Sequence, residues 1–136
     1  NSTAQQPAPP EIEAQIRSLE HAGLEDDRRQ CLWSENDRLI AVVPIDLDQD
    51  GRTDYLAYPA FHLPTFCGAH SIACWVFRAR SDANYDLVLS GRHDAVRIAT
   101  HRTNGLRDID LVYWSAAEEV TEYRYDGRRY RQVRRK

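Results

Sequence analysis

Residues 39–58 read Leu39-Ile40-Ala41-Val42-Val43-Pro44-Ile45-Asp46-Leu47-Asp48-Gln49-Asp50-Gly51-Arg52-Thr53-Asp54-Tyr55-Leu56-Ala57-Tyr58. Both ends are short runs rich in β-branched and aromatic residues, the composition of strands. The centre carries Asp at positions 1, 3, 5 and 9 of a nonapeptide, with Gly51 where a sharp turn is needed. The expected unit is therefore strand, tight acidic loop, strand. Carboxylates at these spacings aim their oxygens at one point, and a hard divalent cation takes about six to eight oxygens at about 2.3–2.6 Å. Such a loop is expected to hold Ca2+ through Asp46, Asp48, Asp50 and Asp54 and the backbone carbonyl of Arg52, whose side chain is then free to turn into water.

The nine residues match the start of a helix-loop-helix calcium site. The match fails at position 12, where Ala57 replaces the bidentate Glu, and strands replace the helices. A strand, a D-x-D-x-D-G-x-x-D loop and another strand resemble the calcium loops of FG-GAP or VCBS-type repeats. In that family the fourth Asp, here Asp54, commonly completes the shell that the Glu would have closed. The ion is then structural, with no open position for substrate chemistry. The plain alternative is a solvated Asp/Gly-rich turn.

The chain has 136 residues, 29% of them charged and 42% hydrophobic. That is one domain of ordinary soluble composition. No apolar run approaches the ~20 residues of a membrane span, and a net charge of −3 gives no reason to expect nucleic acid. Basic residues crowd the C-terminal end at Arg124, Arg128, Arg129, Arg131, Arg134, Arg135 and Lys136. They suit an acidic partner, or simply a solvated edge strand and tail. Met is absent, and residues 1–10 are polar and proline-rich, as in a flexible segment just after an export cleavage. Calcium near millimolar outside the cytoplasm agrees with that reading, and a periplasmic location with the signal peptide removed is expected.

Cys31, Cys67 and Cys74 fit an oxidising compartment. A bond between Cys67 and Cys74 closes a small ring, but spacing alone does not settle connectivity, and Cys31 is either a buried thiol or the partner of one of the others. A zinc site of Cys67, His70 and Cys74 with His62 is a further alternative, although its spacing fits no common module.

Pro9-Pro10 precede a helix over Glu11 to Ala22, where Ile12, Ile16, Leu19 and Ala22 form a narrow apolar stripe that Gly23 ends. Leu24 to Asp37 is ambiguous. Strands are expected over Arg38 to Asp46 and Asp54 to Pro59. Three hairpins follow: Ile72 to Ala79 with Tyr85 to Ser90, Ala95 to His101 with Arg107 to Tyr113 across Thr103-Asn104-Gly105, and Val120 to Tyr125 with Arg128 to Val133 across a two-residue Asp126-Gly127 turn. Tyr123, Tyr125 and Tyr130 are expected on one face. The fold class is α+β, mainly β: a curved antiparallel sheet or partial barrel of about eight strands with one N-terminal helix packed on it. The domain spans 11–133, between the flexible residues 1–10 and a basic tail at 134–136.

The order helix, D-x-D-x-D-G loop (Asp46 to Asp54), C-G-x-x-x-x-x-C-x-x-F (Cys67 to Phe77), T-N-G-x-x-D-I (Thr103 to Ile109) and Y-D-G-x-x-Y (Tyr125 to Tyr130) resembles small exported bacterial proteins of the VCBS-like kind. It covers about two thirds of the chain. Some proteins similar to these are periplasmic inhibitors or immunity proteins that block peptidoglycan hydrolases delivered by rival bacteria. The resemblance implies a protein partner of that kind, a wall-degrading toxin. An inhibitor needs a rigid protrusion, and a ring Cys67 to Cys74 with His70 and Ser71 at its tip, and His62 and Phe66 as neighbouring anchors, resembles in outline the shorter disulfide-closed, His-bearing loop of a class of periplasmic lysozyme inhibitors. The alternative is a bond that only ties neighbouring strands. The alternatives are a calcium-stabilised adhesion or interaction module of an exported assembly, and an unrecognised hydrolase.

Catalysis is the weakest of the three. There is no G-x-S-x-G, H-E-x-x-H, P-loop or dinucleotide fingerprint. His93-Asp94 with Ser90, and His70-Ser71, are the only candidate groupings, and His93-Asp94 after Ser90-Gly91 is expected in an exposed loop.

Overall fold

The run Ala73-Cys74-Trp75-Val76-Phe77 has no charged or hydroxyl side chain because both of its faces are covered. In the computed structural model, which describes residues 6–19, 40–59, 72–80, 84–114 and 117–135, this run is the middle of a central strand. Ala73, Trp75 and Phe77 pack on one side with Ile12, Ile16, Ile40, Val42 and Ala57. Cys74 and Val76 pack on the other with Leu106, Ile109 and Leu111. A two-residue period with apolar groups at both parities is the mark of a strand buried on both faces.

In chain order the elements are β1 (Gln6–Pro7), α1 (Pro10–Leu19), β2 (Ile40–Ile45), β3 (Asp54–Pro59), β4 (Ile72–Ala79), β5 (Tyr85–His93), β6 (Ala95–Thr103), β7 (Leu106–Trp114), β8 (Glu118–Tyr125) and β9 (Tyr130–Arg135). They form two antiparallel sheets, β1-β2-β3-β4-β5 and β6-β7-β8-β9. The single curved sheet or partial barrel expected from the hairpin order is thus corrected to two sheets sharing a core, not closed on each other. The chain changes sheets at Asp94. There the Asp94 N–H donates to the Val112 carbonyl at 2.7 Å, and its carboxylate accepts the Trp114 N–H at 2.7 Å. This fastens the corner to β7, so β6 starts a new ladder with β7 rather than extending β5. A ninth strand comes from Gln6 and Pro7, within the segment expected to be flexible, which pair with Val42 and Ala41. Pro7 is tolerated there because β1 is an edge.

Helix α1 starts with Pro10 at its first position and carries Glu11 and Glu13 in its first turn, both favourable at a helix N-terminus. Ile12 and Ile16, one turn apart, are fully buried against the first sheet. Leu19, expected on the same stripe, is exposed, and Ala22 lies outside the described residues. Polar bonds fix the helix along β5: Gln15 donates to the Tyr85 carbonyl at 2.9 Å, and Glu11 accepts the Tyr85 N–H at 2.9 Å.

Two turns show how local sequence sets register. Thr103 pairs with Leu106, leaving Asn104 and Gly105 as a two-residue loop with φ of 53° and 91°, the positive pair that a tight hairpin turn requires. The β8–β9 turn is longer than the two residues expected. Tyr125 pairs with Tyr130, and the Asp126 carboxylate draws four residues into the turn by accepting the N–H groups of Arg128 at 2.8 Å and Arg129 at 3.0 Å. Those bonds, with Arg131 alongside, hold the Asp126 carboxyl well below the usual carboxylate range. Tyr125 and Tyr130 share a face as expected, with ring centroids 5.6 Å apart.

The second core is tight where β5 crosses β7. A Cβ placed on Gly91 would lie 2.9 Å from Leu111 Cδ1, and Leu111 is fully buried. Gly91→Ala is therefore expected to lower stability by about 1–3 kcal/mol through overpacking. Denaturant unfolding checks this; an unchanged midpoint would mean that Leu111 yields without strain.

Candidate functional site

The acidic loop joins β2 to β3 as expected, with Ile45 paired to Asp54 across its base. Left-handed backbone at Gln49 (φ 57°) and Gly51 (φ 84°) folds it tightly. Short bonds from side chain to backbone set its shape: Asp46 accepts the Gln49 N–H at 2.7 Å, Asp48 the Asp50 N–H at 3.3 Å and Asp50 the Arg52 N–H at 2.9 Å. These are the Asx turns that the composition favours. Carboxylate oxygens of Asp46, Asp48 and Asp54 come within 4.8 Å of one another.

Asp50 does not join them. Its Oδ2 accepts from the Arg52 guanidinium at 3.1 Å, and the Arg52 N–H and guanidinium hold its carboxyl below the ordinary value. The four-carboxylate ligand set is thus reduced to three converging side chains. Arg52 stays exposed, as expected, while its guanidinium leans on Asp50.

Asp54 is fully buried. Its Oδ1 accepts the Ala79 N–H at 2.8 Å and its Oδ2 the Leu47 N–H at 3.0 Å. Desolvation raises its proton affinity, with help from the charges of Asp48 and Asp50, against the opposing pull of those two N–H groups. Asp48 is raised chiefly by desolvation and by its contact with Asp50, while Arg78, whose Nε lies 3.3 Å from Asp48 Oδ2, pulls the other way. Of the three converging carboxylates only Asp48 pairs with a guanidinium among the described residues, that of Arg78, so a positive ion is electrostatically welcome. The donors are all oxygen, and each carboxylate oxygen that accepts one hydrogen bond keeps a second lone pair for an ion. The residues present fit a hard divalent cation better than a soft one.

The loop reaches beyond its own hairpin. Leu47, between the first two Asp residues, is fully buried in the core between the sheets. Its carbonyl accepts the Arg107 N–H at 3.0 Å, and the Arg107 guanidinium donates to the Asp46 carbonyl at 3.2 Å. Arg78 also donates to the Tyr125 hydroxyl at 3.1 Å and lies over its ring. One loop therefore touches β4 of the first sheet and β7 of the second, and is linked to β8 through Arg78. Sequence reading missed Leu47, Arg78 and Arg107 in this role. The signal available was an apolar residue inside an otherwise polar loop.

A second cluster was also missed. His101, Asp108 and Glu122, from three adjacent strands, bring ligand atoms within 4.8 Å of one another. Its hint was a row of charges on strands otherwise apolar.

Of the other expected site residues, Cys74 is a buried free thiol whose ionisation burial pushes up to about 12. As a free thiol Cys74 closes no ring with Cys67, so the expected Cys67–Cys74 bond is corrected; Cys67, His62, Phe66, His70 and Ser71, and with them the zinc alternative, lie outside the described residues. His93 and Asp94 are not an exposed loop: His93 ends β5 and is buried, and Asp94 is the corner described above. Of the C-terminal basic residues, Arg131 pairs with Asp126 and Arg124 with Glu122 at 3.0 Å. No helix among the described residues is long and apolar enough to cross a membrane.

Comparison with known proteins returns nothing: no family model fits the chain, no curated protein matches its sequence and no solved structure matches its fold.

Proposed function

We propose that this is an exported, calcium-clamped binding protein that blocks a cell-wall hydrolase, in the manner of a periplasmic immunity or inhibitor protein. The observation that carries the calcium half is the convergence of Asp46, Asp48 and Asp54 in a loop bonded to strands of both sheets. Such an ion acts on rigidity. It offsets carboxylate repulsion and holds β2, β3, β4 and β7 in one arrangement, and a surface held rigid before docking loses less conformational entropy on binding. The partner class rests on the ordered motifs from Asp46 to Tyr130. The docking residues it suggests are His70 and Ser71, with His62 and Phe66 beside them.

The clamp is tested by thermal unfolding with and without calcium. Free calcium at 100 times the dissociation constant adds about 2.7 kcal/mol, so a rise in Tm of roughly 5–15 °C over the chelated protein is expected. Protons compete for the same oxygens. Because Asp48 and Asp54 are raised above 3.8 in the folded chain, the calcium-dependent rise should shrink as pH falls toward that window. In chelator the same two groups bind protons more tightly folded than unfolded, so their contribution to stability grows as pH falls through it. Equal Tm values with and without calcium at neutral pH would remove the clamp. The partner half is tested by inhibition: a stoichiometric complex with a peptidoglycan hydrolase and loss of its activity are expected, with affinity reduced in a His70→Ala, Ser71→Ala double variant. Failure to protect wall material from any hydrolase class would remove that half and leave the clamp standing.

A further inference from the structure

We propose that His101, Asp108 and Glu122 form a second cation site, selective for a borderline divalent transition ion such as zinc and separate from the acidic loop. The three residues lie on β6, β7 and β8. Ile98 pairs with Ile109 and Arg102 with Arg107, so Ala99, Thr100 and His101 stand opposite the single residue Asp108. That irregularity re-aims a side chain, as bulges do, and His101 Nε2 comes to 2.9 Å from Asp108 Oδ2.

The cluster alone would be an ordinary ion-pair group. What sets it apart is Asp108. Its side chain is 2% exposed, yet neither of its oxygens receives a hydrogen bond. Buried carboxylates are normally hydrogen-bonded, paired or bound to a metal. The nearest guanidinium, Arg124, has its Nε 3.0 Å from Glu122 Oε2 and 3.6 Å from Asp108 Oδ2, so it serves Glu122 first. Two buried carboxylates thus share one guanidinium, and the only other positive charge at hand among the described residues is a protonated His101 ring; with His101 neutral, an ion between it and Asp108 supplies the missing positive charge.

The distances suit that ion. Zinc binds imidazole nitrogen and carboxylate oxygen at about 2.0–2.2 Å, which sets neighbouring ligand atoms roughly 3.0–3.5 Å apart; the 2.9 Å between His101 and Asp108 is close to that. One imidazole among two carboxylates favours a transition ion over calcium or magnesium. The His101 side chain is 63% exposed, which leaves an entry path and room for solvent to complete the coordination.

The test is zinc titration of the whole protein followed by calorimetry, with calcium saturating the acidic loop. One equivalent of zinc is expected in the native protein. His101→Gln, an exposed change that leaves the fold intact, should weaken zinc binding by at least about tenfold, as losing a direct ligand costs no less than losing an outer-shell partner, while the calcium response stays as in the parent. Arg124→Gln should tighten zinc binding by removing a competing cation. Cobalt substitution gives an independent readout, a visible absorption band that His101→Gln abolishes. Zinc affinity unchanged in His101→Gln would place the ion elsewhere and overturn the proposal, as would no zinc binding at all or weaker binding in Arg124→Gln.

Discussion

Asp54→Ala is expected to lower the folding free energy by about 3–5 kcal/mol, measured by denaturant unfolding in chelator so that no ion contributes. The carboxylate is fully buried and caps two backbone donors, Ala79 N–H and Leu47 N–H. Truncation strands both, and each orphaned buried donor costs about 1–3 kcal/mol. The cost of burying the carboxylate, visible in its raised proton affinity, offsets part of this and sets the lower end of the range. Domains of this kind are stable by about 5–15 kcal/mol in total, so the loss is a large fraction. Asp54→Asn keeps the shape and one acceptor but turns an amide N–H toward a donor, for a loss of about 1–3 kcal/mol. If Asp54→Ala unfolds within 1 kcal/mol of the parent in chelator, the residue is a metal ligand only and its bonds into β4 carry no weight.

The second large effect is expected at Phe77. Phe77→Ala should cost about 3–5 kcal/mol, the usual range for deleting a fully buried aromatic ring. Phe77 belongs to the core between α1 and the first sheet, while its neighbour Val76 belongs to the core between the sheets. The loss should therefore fall unevenly. Hydrogen exchange should accelerate in α1, whose two buried anchors Ile12 and Ile16 pack in the same cluster, before it does in β7. Uniform acceleration across both sheets would show that the two cores act as one cooperative unit.

Much of the secondary structure was readable from the sequence because its causes are local. Asp54–Pro59 and Ile72–Ala79 begin and end where β propensity and turn residues place them, and Asn104-Gly105 marks its hairpin through backbone conformation alone. The spacing of the Asp residues likewise foretold that carboxylates converge, since Asx turns are set within the loop. It did not reveal that Asp50 turns away, because two partners compete for it and Arg52 sits two residues on.

The rest depends on residues distant in sequence. Asp54 bonds to Ala79, 25 positions later, and Arg107 reaches back 61 positions to Asp46; no periodicity encodes either. The split into two sheets left one trace, the apolar run from Ala73 to Phe77 at both parities, but a strand buried on both faces does not say which element covers which face. His101, Asp108 and Glu122 became neighbours only through an irregular register, which strand propensity does not predict.

The strand order has a kinetic consequence. Among the described residues every ladder joins strands that follow each other in the chain, and no crossover connection enters either sheet. Apart from β1–β2, which pairs Gln6 with Val42 across α1, and β3–β4, joined through residues 60–71, these contacts are local, so the loops closed are short and their entropic cost is modest. Folding rate falls as contacting residues lie further apart in sequence, and here the long-distance contacts fall to the addition of β1 and to the docking of helix and sheets on one another. From β2 onward each sheet can therefore assemble strand by strand in chain order, with the acidic loop and its buried Leu47 as the late fastening between the two.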